Sequence, residues 1–343
     1  YVDQLIKKKD AGLSFKVDSY AFESNVHFPT DLNLAWDCAR KCIELSAKLC
    51  KSYDLPGWRK HANWRSKIKG LARQSARACR GGGKNKTERV EASVTAYLES
   101  LYALEEKVLE SLEHLSVLAM NPMLEVSLSE LRGYHDLLIH HIFLVSDRLL
   151  DGRTIDSSEK LYSIFEQHTE WIQKGKAHRR VELGHRLLIT TDQYGIIHDY
   201  KIMEGGDEAG EVASLADRLV QKVGLESIAS LSFDRGFSSV ENRELLELCL
   251  DDVEIIMPKK GKLTVADQER QSQKRWRKLS NQHSAIESDI NSLEHHGLDR
   301  CPDKGYAAYA RYAGLGILAY NLHRIGNHLQ KERRRIESLA QAA

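Results

Sequence analysis

Short apolar runs and long periodic segments alternate along this chain, and their order predicts a mixed α/β protein. Residues 12–18 alternate Leu13, Phe15 and Val17 with small or polar residues, which predicts a strand that ends in Asp18. From about residue 32 to residue 176 the apolar residues recur every 3.6 positions, which predicts about 140 residues of helix. This block includes a short helical piece over 156–174.

Strand patterns return after the helical block. Two apolar runs, 185–192 and 196–203, flank a Gln-Tyr-Gly turn and predict a hairpin. A buried strand is predicted from Ile228 to Asp234, followed by another over 253–259, with helices over 211–223 and 240–250. Long helices over about 266–296 and 306–329 complete the pattern.

Without the helical block, this order fits an RNase H-like mixed sheet flanked by helices. The predicted catalytic domain therefore comprises residues 1–32 and 178–343. Residues 33–177 are predicted to form a large all-helical insertion domain after the first strand, in contact with DNA.

The helix over 283–298 carries the third acid of interest. Ile286, Ile290 and Leu293 form one apolar stripe, and Glu287 and Glu294 lie on the adjacent stripe. A plain surface helix shows the same pattern, so this helix alone leaves both interpretations open.

Asp18, Asp234 and Glu287 have a joint interpretation that none of them has alone. The first and fourth strands of an RNase H-like sheet are neighbours, and the last helix packs against their face, which brings the three carboxylates together. Clustered carboxylates repel one another unless a cation neutralises them. Divalent ions such as Mg²⁺ prefer oxygen ligands, and a pair of such ions promotes phosphoryl displacement.

Composition adds limits on the class of protein. Hydrophobic residues make up 42% and charged residues 29%, with a formal net charge of +1, which is typical of a soluble globular chain. No apolar run approaches the roughly 18 residues that a membrane span needs. The six cysteines form no CxxC pair, which favours reduced thiols, no structural metal and a cytoplasmic location.

Four segments in order resemble insertion-sequence transposases of the DDE type, and the ISNCY group most closely. They read VDSYAFESNVHFPTD, KLYSIFEQHTEWIQKGKAHRRVELGHRLLITTDQYG, SFDRGFSS and HSAIESDINSLEHHGLDRCPDKG. The resemblance implies a two-metal-ion polynucleotidyl transferase that uses Mg²⁺ or Mn²⁺, with Asp18, Asp234 and Glu287 as catalytic residues and metal ligands. It also implies a DNA-binding helical module ahead of residue 1.

The chain departs from the broader DDE pattern around the helical acid. Many relatives carry Tyr and Arg before the glutamate and Lys seven residues after it, whereas this chain has Ser280, His283 and Glu294. The departure predicts that no DNA-contacting lysine lies there and that Glu294 is a fourth acid near the site.

The implied partner is double-stranded DNA, both the inverted-repeat ends of the transposon and the target. The resemblance also implies that a homodimer or a larger assembly binds this DNA. The expected location is the bacterial cytoplasm, at the nucleoid when the protein is bound to DNA. Phosphate contacts are expected from basic residues in three segments, although a charge run is more often a solvated face. They are Arg59, Arg65, Lys67, Lys69, Arg73, Arg77, Lys174, Lys176, Lys259 and Lys260. The alternative is a non-catalytic, domesticated or decayed DNA-binding relative.

Overall fold

The computed structural model describes residues 12–118, 121–173 and 181–341. The chain divides into two compact units. The helical unit runs from His27 to Gln167, and the sheet unit combines the segment up to Val26 with the segment from His168 onward. The domain boundaries predicted from the sequence were residues 33 and 177.

Four long helices build the helical unit: α1 (Asp31–Ser52), α2 (His61–Arg80), α3 (Lys86–Val117) and α4 (Pro122–Leu149). Thr30 begins α1 with a capping box, in which its side chain and that of Asn33 each accept the other's backbone N–H. One continuous apolar core joins the helices, and it includes the fully buried Tyr97, whose hydroxyl donates to the carbonyl of Leu32 at 3.0 Å. This unit therefore has a hydrophobic core of its own.

The sheet unit contains a mixed seven-stranded sheet. Its strands are β1 (Leu13–Ser24), β2 (Glu170–Gln173), β3 (Val181–Thr191), β4 (Ile197–Met203), β5 (Ile228–Phe233), β6 (Glu254–Ile256) and β7 (Arg300–Cys301). β3 pairs antiparallel with β1 on one side and with β2 and β4 on the other. β5 pairs parallel with β1, and β6 pairs parallel with β5. The predicted α/β class and the flanked mixed sheet are confirmed.

Helices of the sheet unit cover both faces of the sheet. They are α5 (Val212–Val223), α6 (Val240–Cys249), α7 (Val265–Ser272), α8 (Lys274–His283), α9 (Ala285–Leu293) and α10 (Tyr306–Gln341). Side chains alternate between faces along a strand, so Leu13, Phe15 and Val17 face a core with α5 and α6. Tyr20 and Phe22 face the opposite core, which α9 and α10 complete.

Two predicted helical segments differ in the structure. Of the described residues 156–173, only the single turn Ser157–Glu159 is helical, and Glu170–Gln173 form β2 because they pair with β3. The predicted helix over 266–296 is three helices, since the chain is extended at Gln273 (φ −61°, ψ 135°) and breaks again after His283. None of the described helices is both long enough and apolar enough to cross a membrane.

Candidate active site

Asp18 and Asp234 lie side by side on neighbouring parallel strands. The last register pair between β1 and β5 is Val17 with Phe233, and the backbone at Asp234 stays extended (φ −74°, ψ 168°). Val17 and Phe233 both face the core with α5 and α6. The next residue on each strand therefore faces the other side of the sheet, where α9 and α10 pack.

The place of Asp18 within its strand corrects the sequence prediction. β1 does not end at Asp18 but continues to Ser24, and it pairs with β3 from Lys16 to Glu23. The prediction was wrong because the apolar alternation changes face after Asp18, from Val17 on one side to Tyr20 on the other. β5, in contrast, ends at Phe233, so the neighbour of β1 turns away at the level of Asp18.

Glu287 comes from α9, which packs on the same face of the sheet. Ile286 and Leu293 are fully buried in the core with β1, and Ile290 packs against it, as the apolar stripe predicted. Glu287 is exposed on the adjacent stripe. Its charge raises the pKa of Asp18, so the structure brings all three predicted carboxylates into one neighbourhood.

Electrostatics at Asp18 are those of a crowded acidic cluster. The pKa of Asp18 is raised from 3.8 to about 7, chiefly because burial penalises its charged form. The backbone N–H of Ser19 donates to Asp18 Oδ1 at 2.7 Å, which lowers this pKa in part. The negative charges of Asp234, Glu208 and Glu287 raise it further. Below a pH of about 7 the Asp18 carboxyl therefore keeps a proton, which a bound cation would displace.

Glu208 is the fourth acid at this site, and no pattern in the sequence pointed to it. It lies on the segment between β4 and α5 and accepts a 2.6 Å hydrogen bond from Ser19 Oγ. Its other carboxylate oxygen occupies the space that a Cβ at Gly236 would need. Gly236, two residues after Asp234, thus leaves room for the Glu208 side chain.

Glu294 was expected to be the fourth acid, and the structure places it elsewhere on the same helical segment. Its charge raises the pKa of Tyr20 rather than that of Asp18. Glu294 begins the π-helical turn that follows α9, seven residues beyond Glu287. The additional acid whose charge acts on Asp18 is Glu208.

His283, at the end of α8, belongs to the site. The hydroxyl of Ser232 donates to the carbonyl of Phe15 at 3.0 Å, so its 3.1 Å contact with His283 Nδ1 makes the imidazole the donor. Burial lowers the pKa of His283, Lys16 lowers it further, and Asp234 opposes them. A neutral ring with an unprotonated Nε2 follows from these contacts.

A buried ionic hub fixes α9 against the sheet. Asp289 accepts hydrogen bonds from Arg324 (2.7 Å), Tyr320 (3.1 Å) and Thr191 (3.2 Å), and its carboxylate lies 3.4 Å from Lys16 Nζ. These partners come from α10, β3 and β1. Asp289 and Lys16 are both buried, so each compensates the other's charge.

The predicted DNA-contacting residues fall into distinct settings. In the helical unit all but one are exposed, and Lys69 is half-buried. They are Arg59, Arg65, Lys67, Lys69, Arg73 and Arg77. Trp58, next to this basic segment, is buried and donates its indole N–H to Ser111 Oγ at 2.8 Å, so it is a core residue. Lys174 and Lys176 lie outside the described residues.

The two lysines that follow β6 differ from each other. Lys259 Nζ donates to the buried carboxylate of Asp267 at 2.8 Å, which is a structural contact at the start of α7. Lys260 Nζ donates to the carbonyl of Gly236 at 2.9 Å, which places its charge at the turn that follows Asp234. Lys260 therefore lies beside the acidic cluster.

Within the described residues, no group of three or more His, Cys, Asp or Glu side chains is already arranged as ligands around one point. Local hydrogen bonds hold two of the carboxylates, since Asp18 and Asp234 each accept the N–H of the following residue. The donor set of four carboxylates nevertheless fits a hard divalent cation in chemistry and in charge. Comparison of the chain with protein-family models, curated proteins and solved structures finds no match.

Proposed function

We propose that the sheet unit is an RNase H-like catalytic domain and that the protein is a DDE-type transposase, which cleaves and joins DNA strands at transposon ends. The observation that carries the proposal is the register of β1 and β5, which sets Asp18 and Asp234 side by side on the face covered by α9, the helix of Glu287. The four-motif resemblance in the sequence supports the same chemistry.

The strand order supports the fold assignment. The hairpin β3–β4 lies on one side of β1, and β5 and β6 lie on the other. The first and fourth of the strands predicted from the sequence are therefore neighbours, as that fold requires. The helical unit follows β1 in the chain, in the position expected for an insertion domain.

Asp18, Asp234 and Glu287 are the residues that would hold two Mg²⁺ or Mn²⁺ ions, with Glu208 close enough to assist. When bound, the ions would neutralise the carboxylates, activate the attacking oxygen and stabilise the leaving oxygen of an in-line phosphoryl displacement. The chain supplies the carboxylates on rigid strand and helix positions, which keeps their relative placement fixed during the reaction.

Two further residues would act on the DNA. The ammonium group of Lys260, held against the carbonyl of Gly236, offers a positive charge to a phosphate that approaches the acids. His283 stays neutral and adds no positive charge of its own, but its unprotonated nitrogen can accept a proton within the site. The exposed arginines and lysines of α2 would bind more distant phosphates, and the reaction at two ends calls for at least two copies of the chain.

The test is strand cleavage of an oligonucleotide that carries the element's own terminal inverted repeat, in the presence of Mg²⁺ or Mn²⁺. Asp234→Asn should lose cleavage by several orders of magnitude, because the isosteric amide has no negative charge with which to hold a cation. Asp251→Asn, at an exposed acid of the same unit, is the matched control and should cut like the parent. Equal cleavage by the parent and Asp234→Asn would refute the catalytic assignment.

A non-catalytic DNA-binding relative gives a different pattern. It would bind the same oligonucleotide but leave it intact with either metal. Mn²⁺ binding, followed by calorimetry without DNA, separates the two cases further. The parent should bind and Asp234→Asn should not if the cluster is a metal site, whereas equal binding or none would remove the metal assignment.

A further inference from the structure

The long C-terminal helix α10 carries a second apolar stripe that faces away from the sheet. Its inward stripe, which includes Tyr309, Ala313, Ile317 and Tyr320, is buried in the core. The outer stripe, here called the α10 seam, consists of seven leucines and isoleucines. They are Leu315, Leu318, Leu322, Ile325, Leu329, Ile336 and Leu339.

The spacing of the α10 seam is that of a coiled coil. Its positions alternate steps of three and four residues from residue 315 to residue 339, so seven of the eight a and d positions are apolar. The seam spans about 36 Å of helix, at roughly 1.5 Å per residue. This heptad pattern is sustained for more than three repeats, which a chance surface pattern rarely reaches.

Six of the seven apolar side chains of the seam are exposed in the single chain, and Ile325 is half-buried. Leu315, Leu322 and Ile336 are 60–61% exposed, and the other leucines of the seam are 48–61% exposed. No other described helix exposes more than three large apolar side chains. A contiguous stripe of this size marks an interaction surface rather than a solvated helix face.

The one polar position of the seam points to the identity of the partner. Glu332 occupies a d position, and Arg333 and Arg335 flank it at positions e and g. In a parallel, in-register pair of these helices the two Glu332 side chains face each other, and Arg333 of each copy, which contacts Glu337 of its own helix at 2.8 Å, lies next to the glutamate of the other. The seam is thus complementary to itself in its apolar positions, and the neighbouring arginines offset the one charge that it contains.

We infer that α10 forms a two-stranded coiled coil with α10 of a second copy of this chain. Leucines and isoleucines at a and d would interdigitate along a two-fold axis, and Glu332 would set the register. Because the inward stripe lies on the opposite side of the helix, the pairing leaves the contacts of α10 with the sheet intact. The inference does not rest on the proposed reaction, since association is measured on the protein without DNA.

The experiment compares the molar mass of the intact chain and of two variants by sedimentation equilibrium over about two decades of concentration. Leu322→Glu with Leu329→Glu places charges in the centre of the seam. Leu245→Glu with Leu248→Glu, at two exposed leucines of α6, is the matched control. Circular dichroism is the control for the folding of each variant.

The parent and the control should be dimers, and the seam variant should be a monomer over the same range, with a dissociation constant at least about 100-fold higher. Glu332→Leu should change it in the opposite direction, because it removes a charge from the interface. A monomeric parent would overturn the inference. So would a seam variant that remains as dimeric as the control.

Discussion

Replacing Asp18 with Asn should stabilise the metal-free sheet unit near neutral pH. The pKa of Asp18 is about 7 in the folded chain, against 3.8 for an ordinary aspartate. Between these two values the folded state keeps a proton that the unfolded state has released. The free energy of unfolding therefore falls as the pH rises through this window, and the cost is complete above the folded pKa.

The size of the effect follows from the same two pKa values. The difference between 3.8 and about 7 corresponds to about 4 kcal/mol, at roughly 1.4 kcal/mol for each pH unit. Asn carries no charge, and its side-chain oxygen can still accept the N–H of Ser19. Relaxation of the charged cluster lowers the gain, so we expect Asp18→Asn to raise the free energy of unfolding by about 1–3 kcal/mol near pH 8.

The assay must report on the sheet unit, because a chain of two units need not unfold in one step. Native-state amide exchange of β1 and β5, followed by mass spectrometry with a metal chelator, meets this need. The stability gained by Asp18→Asn should shrink near pH 5, where Asp18 of the folded parent is protonated and therefore uncharged. Asp251→Asn is the control and should change stability by less than about 0.5 kcal/mol.

Adding Mg²⁺ should reverse the order of stability. If the cluster is the proposed metal site, the parent should gain stability from a bound cation, whereas Asp18→Asn should not. A variant that is no more stable than the parent near pH 8 in chelator would refute the idea that Asp18 is held in a destabilising acidic cluster. A gain that is equal at both pH values would show that the effect is unrelated to ionisation.

Three further predictions follow. Asp289→Ala should lower the free energy of unfolding of the sheet unit by about 3–5 kcal/mol, because it leaves a buried lysine unpaired; a loss below about 1 kcal/mol in denaturant titrations would contradict this. Glu208→Gln should shift the pH dependence of sheet-unit stability to lower pH, because it removes a negative charge that raises the pKa of Asp18. An unchanged pH profile would show that the charge of Glu208 does not act on Asp18. Lys67→Ala with Lys69→Ala should reduce the slope of log K against log salt for DNA binding by about 2, whereas Lys304→Ala, outside the predicted contact set, should not; equal slopes would remove α2 from the interface.

The sequence predicted the sheet and its two strand acids because strand signals are local. Alternating apolar residues located β1, β3, β4 and β5, and an acid directly after a buried strand marked Asp234. The same local rule predicted the end of β1 six residues too early, because the side chains of Tyr20 and Phe22 face the other side of the sheet. A change of buried face within one strand depends on what packs there, which no local pattern contains.

The remaining site residues depend on contacts between distant parts of the chain. Glu208 lies in a Gly-rich segment without periodicity, and only the fold brings it to Ser19, 189 residues away. Asp289 sits on the buried side of α9, where a pattern-based reading expects an apolar residue, and its partners come from β1, β3 and α10. Such groups are invisible until their partners are known.

The buried hub at Asp289 determines how precisely Glu287, on the same helix, is positioned. A helix that is held only by leucines and isoleucines can rotate or slide by a fraction of a residue at small cost, since dispersion contacts are not directional. Hydrogen bonds from three different elements do not permit this, because each has its own angle and length. The rotation and the axial position of α9 are therefore set at Asp289, two residues from Glu287. The orientation of the exposed Glu287 carboxylate thus depends on a buried residue on another side of the same helix.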